Sequence, residues 1–212
     1  SRIGAASDNE PTSIRCFDFI EDGKSLLVAI PKAVELLSTV EGKSERRFAT
    51  MPYVPNLATC REGTRFVIDA LQAGAGTGPG PKHRTQIWDL KSGEWARHIS
   101  PSFTGERNNT SGSRQLAISP DGRICVLAAI RVLGEYTWKV GVVAWDVERN
   151  ELLWELDLHH HLWPPFVRLS HDGRLLLVPG HPEHADYGPI LVEAQSGTVL
   201  HALATPGHAC DG

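Results

Sequence analysis

Short runs of alternating apolar and polar residues recur along the chain, each closing in a turn that ends on glycine. Cys16-Phe17-Asp18-Phe19, Leu57-Ala58-Thr59-Cys60, Leu116-Ala117-Ile118-Ser119 and Val167-Arg168-Leu169-Ser170 are four such runs. They lead into Glu21-Asp22-Gly23, Arg61-Glu62-Gly63, Pro120-Asp121-Gly122 and His171-Asp172-Gly173. A second apolar run follows each turn, as at 26–30. A two-residue period bounded by acidic-Gly pairs predicts strands joined by hairpins, because glycine accepts positive φ and Asp bonds its own backbone. Each unit then has a second turn, at Glu41-Gly42, Ser92-Gly93, Arg149-Asn150 and Ser196-Gly197, between further short runs. Every unit therefore reads as a four-stranded meander. The first-turn glycines, 23, 63, 122 and 173, lie 40, 59 and 51 residues apart, about one propeller blade with loops of varying length. No stretch sustains a helical period, and Pro and Gly fall mainly between the runs.

With the repeat in view, two segments carry a family resemblance. Gln86-Ile87-Trp88-Asp89-Leu90 before Ser92-Gly93, and Val143-Ala144-Trp145-Asp146-Val147 before Arg149-Asn150, resemble the third-strand Trp-Asp signature of WD-repeat β-propellers. Ser119-Pro120-Asp121-Gly122 and Gly207-His208 resemble that family's first hairpin turn and its Gly-His element. The resemblance covers about residues 14–212. It implies an all-β fold, a β-propeller of four-stranded antiparallel blades forming an incomplete ring. Blades are expected at about 14–49, 54–99, 113–157 and 163–203, with 1–13 a linker or cut end and 204–212 the start of a further blade. The remaining blades are expected in the same longer chain. Trp88, Asp89, Trp145 and Asp146 are expected to be structural. The first and fourth units have Leu37-Ser38 and Val192-Glu193 where Trp-Asp would fall, so they lack that pair and the family's network of His, Ser or Thr, Asp and Trp.

Composition narrows the partners. The 212 residues are 41% apolar and 22% charged, with 25 acidic against 21 basic side chains and a net charge of −4, which is ordinary for a globular protein. No clustered Lys and Arg provide a footprint for nucleic acid or an anionic membrane, so neither is expected as a partner. Apolar runs such as 26–30 and 175–178 fall far short of the roughly 20 residues of a membrane helix. Four cysteines, Cys16, Cys60, Cys125 and Cys210, include no C-x-x-C pair. Three of them sit in apolar stretches and read as buried, reduced thiols, consistent with a cytoplasmic setting.

Candidate chemistry lies mainly in the loops. In such a meander the connections between the second and third strands, and between blades, emerge on one face, and the tight hairpins emerge on the other. The first set contains the long segments 72–84, 100–113, 131–138, 158–164 and 180–188. Long loops on a rigid scaffold are where binding concentrates. Tyr136, Trp138, Trp163 and Tyr187 belong to them, and stiff aromatic side chains anchor protein contacts at low entropic cost, so these four are the candidate binding residues. Seven of the ten histidines fall there too: His83, His159, His160, His161, His181, His184 and His208. No ligand spacing recurs among them, so no metal or other cofactor is assigned. Ser170-His171-Asp172 holds the residue types of a hydrolase triad, but neighbours in one tight turn do not form a nucleophile, base and orienter. The run 74–80, Gly-rich and interrupted by Pro79, misses the dinucleotide spacing. In the inner-strand column Asp18, Ala58, Ala117 and Arg168, the Asp and Arg invite structural pairing. These features together predict a non-catalytic scaffold presenting its loop-rich face to a protein partner. Two other readings are a propeller enzyme or ligand sensor with a site at the central channel, and an architectural part of a larger multidomain protein.

Overall fold

The computed structural model describes residues 14–20, 23–50, 53–60, 62–72, 82–99, 114–132, 138–158, 166–178 and 189–202. Strand follows strand, sixteen in all among these residues, in four antiparallel sheets that each run in chain order. The first sheet is β1 (Cys16–Ile20), β2 (Ser25–Ile30), β3 (Ala33–Ser38) and β4 (Ser44–Ala49). The second is β5 (Tyr53–Thr59), β6 (Arg65–Gln72), β7 (Lys82–Asp89) and β8 (Trp95–Ile99). The third is β9 (Arg114–Ile118), β10 (Ile124–Val132), β11 (Trp138–Asp146) and β12 (Glu151–Leu158). The fourth is β13 (Arg168–Leu169), β14 (Leu175–Val178), β15 (Ile190–Glu193) and β16 (Val199–Ala202). The all-β, meander architecture expected from the repeat is present. Strands extend further into two connections than the sequence pattern indicates: Gln72 pairs with Lys82, and Val132 with Trp138. Period-2 alternation fades there, yet the ladder continues because backbone groups left unpaired beside a sheet are costly.

The chain divides into two compact units, Ser1–Ser100 and Pro101–Gly212. In the first, β5 lies against β1 and β2, and the alternation of both sheets sends one side chain in two into the seam. Ile20, Leu27, Val34 and Phe48 of the first sheet meet Val54, Phe66, Ile68 and Ala70 of the second. Phe48 packs edge-on against Phe66 at 4.9 Å and against Trp88 at 5.9 Å, while Trp88 stacks on Phe66 at 6.0 Å. Such ring pairs add about 0.5–1.5 kcal/mol each beyond their burial. In the second unit Val126, Ala128, Val142 and Trp154 of the third sheet pack on Val167, Leu176, Val178 and Val192 of the fourth.

Among the described residues, the first and last hairpins of the sheets each follow a rule. At the first turn the backbone N–H of glycine returns to the carbonyl three residues earlier, from Gly63 to Cys60, Gly122 to Ser119 and Gly173 to Ser170. At the last turn the span is four residues, from Gly42 to Ser38, Gly93 to Asp89 and Gly197 to Glu193. Gly42, Gly93 and Gly197 have φ of 65°, 75° and 73°, and the corresponding residue of the third sheet is Asn150 at 58°. Asparagine is the side chain that best tolerates this left-handed region, which explains the one turn without glycine.

Candidate functional site

The turn side chains come first, because they decide where each blade's rigid end lies. Ser119 Oγ donates to Asp121 Oδ1 at 2.5 Å and accepts the N–H of Ile124 at 2.9 Å. Ser170 repeats this with Asp172 at 2.6 Å and Leu175 at 3.0 Å. Partial burial pushes the Asp121 carboxyl up, but the Ser119 hydroxyl, the Arg123 amide and the Arg123 charge outweigh it and hold it below its ordinary value. Asp172 is held low by the Ser170 hydroxyl and then by the Arg174 amide. In the second sheet Cys60 occupies the serine position: its Sγ accepts the Arg65 N–H at 3.0 Å and lies 3.3 Å from the Thr64 hydroxyl. Ser170, His171 and Asp172 thus serve a turn, with the serine already committed to backbone and carboxylate.

The Trp-Asp positions divide their work. Asp89 Oδ1 accepts the Ser92 N–H at 2.6 Å and Asp146 Oδ1 accepts the Arg149 N–H at 2.8 Å, so both carboxylates close the last hairpin. The Ser92 amide is the main cause holding Asp89 below its usual value. Where the pair is missing, other residues cap the same turn: Ser38 Oγ accepts the Glu41 N–H at 3.2 Å, and the Glu193 carboxylate accepts the Ser196 hydroxyl. The indoles differ from each other. Trp145 Nε1 donates to Asn150 Oδ1 at 3.1 Å within its own hairpin, whereas Trp88 Nε1 is buried without a hydrogen-bond partner.

Two side chains absent from the sequence-level candidates tie neighbouring sheets together. Arg46 Nη1 donates to the carbonyls of Leu90 and Lys91 at 2.7 and 2.8 Å, reaching from β4 to the last turn of the second sheet. Trp154 Nε1 donates to the Ala194 carbonyl at 2.8 Å, from β12 to the last turn of the fourth. Arg46 faces Leu36 and Trp154 faces Ala144, each just beyond a bulge, so they occupy the same place in their blades. No residue type marks that place in the sequence. Asp18 is a further tie, its Oδ2 accepting the N–H and the hydroxyl of Thr59 at 2.9 and 2.8 Å. Arg168, in the same column, is exposed and donates to the Val167 carbonyl.

Tyr136, Trp163 and Tyr187 lie outside the described residues. Trp138 is the first residue of β11, paired with Val132, and its side chain is outside the description. His83 lies in β7 with its side chain likewise undescribed, and the other six loop histidines fall outside altogether. Among the described residues no group of three His, Cys, Asp or Glu side chains is arranged to hold a metal. Cys60 and Cys125 are buried; burial and the nearby Asp18 charge push the half-buried Cys16 thiol to about 12, which suppresses its thiolate.

No family model matches the chain, and no curated protein matches it. Solved structures do. A chain of hydrazine synthase from Kuenenia stuttgartiensis is 15% identical with a TM-score of 0.60, over 95% of this chain and 53% of its own. The WD40 domain of Toxoplasma gondii coronin is 10% identical with a TM-score of 0.62, over 90% and 44%. A chain of the Mitotic Checkpoint Complex is 16% identical with a TM-score of 0.61, over 94% and 55%. The chain spans about half the length of the solved chains it matches. At this identity the likeness concerns the fold, and the fold is that of WD-repeat β-propeller blades.

Proposed function

We propose that this set of WD-repeat-type blades is a non-catalytic interaction scaffold that receives a protein partner on its loop-bearing face. The carrying observation is the asymmetry of the connections. Two of the four links between second and third strands are long, nine residues from β6 to β7 and eleven from β14 to β15, while β10 to β11 and the hairpins at the other ends leave four or five residues between strands. Those turns spend their polar side chains on their own backbones, which leaves recognition to the long connections. Tyr136, Trp138, Trp163 and Tyr187 are the anchors in this reading, and blades outside this segment would extend the same face.

The test is photo-crosslinking from the two faces. A crosslinker at 136, 163 or 187 should trap a discrete partner that the same group at Lys43 or Arg123, on the tight-turn face, does not. Equal trapping from both faces would sink the reading. The likeness to a hydrazine synthase chain keeps an enzyme reading in play. That reading predicts stoichiometric metal or cofactor in the purified protein, measured by elemental analysis and absorbance.

A further inference from the structure

The first sheet joins its second and third strands through two residues, Pro31 and Lys32, with Ile30 paired to Ala33 across the turn. Proline holds φ near about −65°, and Lys32 follows at 65°. That sequence of angles is a type II turn, whose third residue calls for Gly or Asn because other side chains crowd the backbone there. Asn150 is the other non-glycine residue at positive φ among the described residues, and asparagine is suited to it. Lysine is not. The Lys32 carbonyl accepts the Thr50 N–H at 3.0 Å, a bond that uses backbone alone and that glycine or asparagine would make equally well. The side chain is exposed, and its ammonium forms no ion pair with the described residues. The fold therefore uses the backbone of Lys32 and leaves its charge to face outward.

Lys32 stands at the loop-bearing end of the first unit, and that end has one sign of charge. The stretches that build it, 30–33, 50–54 and 71–84, contain Lys32, Lys82, His83 and Arg84 and no Asp or Glu. Lys82, His83 and Arg84 open β7 at this end, paired with Gln72, Leu71 and Ala70. The tight-turn end of the same unit is mixed: each of 21–24, 41–43, 61–65 and 89–94 carries both an acid and a base. A blade added before or after stacks on a sheet face, whereas this end consists of strand ends and their links, so further blades would lengthen it rather than cover it.

We propose that the loop-bearing end of the first unit takes an acidic segment of the protein partner, with Lys32 as the residue that selects it. This rests on the loop-face reading and adds the chemistry of the partner. The ammonium is what lysine brings to a turn that glycine would occupy without strain. Pro31 and the Thr50 bond fix the backbone beneath it, so less freedom is lost when the charge is paired. Lys32, Lys82 and Arg84 match a short run of carboxylates. They are too few to track a phosphate backbone, whose binding is built from many such contacts.

The experiment is fluorescence anisotropy at low salt on the full chain and its K32E and K32N variants, with a labelled polyglutamate peptide and a labelled oligothymidine strand of similar charge. Reversing the charge should weaken polyglutamate binding about tenfold and removing it about threefold, as for one exposed contact made repulsive or lost. K32N should melt no lower than the unchanged chain, because asparagine suits the left-handed position, so its loss of binding is not a loss of fold. Polyglutamate should bind the unchanged chain more tightly than oligothymidine does. Equal polyglutamate affinity in all three proteins overturns the proposal, as does no polyglutamate binding by the unchanged chain or tighter binding of oligothymidine. Crosslinking separates the two readings. A partner trapped from 136, 163 or 187 as strongly in K32E as in the unchanged chain keeps the loop face and overturns its acidic selectivity. Failure to trap from any of the three counts against the loop face, while the polyglutamate comparison still decides whether this end takes an acidic segment.

Discussion

The seams of the two units share a register and differ in chemistry. In the first unit Arg46 sets a charged fork on two carbonyls above Gly93, and the apolar filling is the trio Phe48, Phe66 and Trp88. In the second, Trp154 does both jobs: its indole N–H bonds Ala194 while its ring lies on Gly197. One seam separates hydrogen bonding from packing and the other fuses them in a single side chain. The difference teaches that the blade specifies a location, one residue past the β4-type bulge, and leaves the residue type open provided it donates.

Fusion concentrates risk, so the largest expected effect is Trp154→Ala, which should cost about 3–5 kcal/mol in denaturant unfolding through lost burial and an orphaned carbonyl. Arg46→Ala should cost less, about 1–3 kcal/mol, because the aromatic trio remains. Equal losses would break the contrast. The glycines beneath sharpen it. A Cβ at Gly197 would stand 2.6 Å from Trp154 Cγ, against 3.1 Å from Arg46 Nη1 at Gly93. All three turn glycines have positive φ, costing an alanine about 1–2 kcal/mol by itself. Gly197→Ala should exceed this by a further 1–3 kcal/mol of overpacking, Gly93→Ala only slightly, and Gly42→Ala not at all. Thermal melts of the three variants rank them directly.

The indoles give a smaller contrast. Trp154→Phe should cost about 1–3 kcal/mol by stranding the Ala194 carbonyl, whereas Trp88→Phe removes a buried N–H that bonds nothing and should change stability by less than about 1 kcal/mol. The smallest effects belong to the first turns. Asp121 and Asp172 have carboxyls held below the ordinary value near 4, so their contribution is complete above that pH and is lost as pH falls through the lowered value. An NMR pH titration should move the Arg123 and Arg174 amides together in that acid range. Cys60, which takes the serine position and accepts the Arg65 N–H, should tolerate Cys60→Ser within about 1 kcal/mol.

Much of the fold was legible because its punctuation is local. Gly63, Gly122 and Gly173, and the aspartates of the first turns, act on their own backbones within five residues, so the residues name the turn wherever the chain goes. The closing role of Asp89 and Asp146 is local too, and so is its replacement by Ser38 and Glu193. The strand alternation located each seam face, as at Leu27 and Ala29 against Val28 and Ile30. By itself, then, the sequence determined the strands, the meander and both classes of hairpin. Only the tertiary structure decided which side chains join one sheet to the next. Arg46 and Trp154 share no chemistry and no spacing from a motif; a bulge in each outer strand brings them to the same place, and only the packed neighbour, some forty residues away in the chain, supplies the carbonyls they hold.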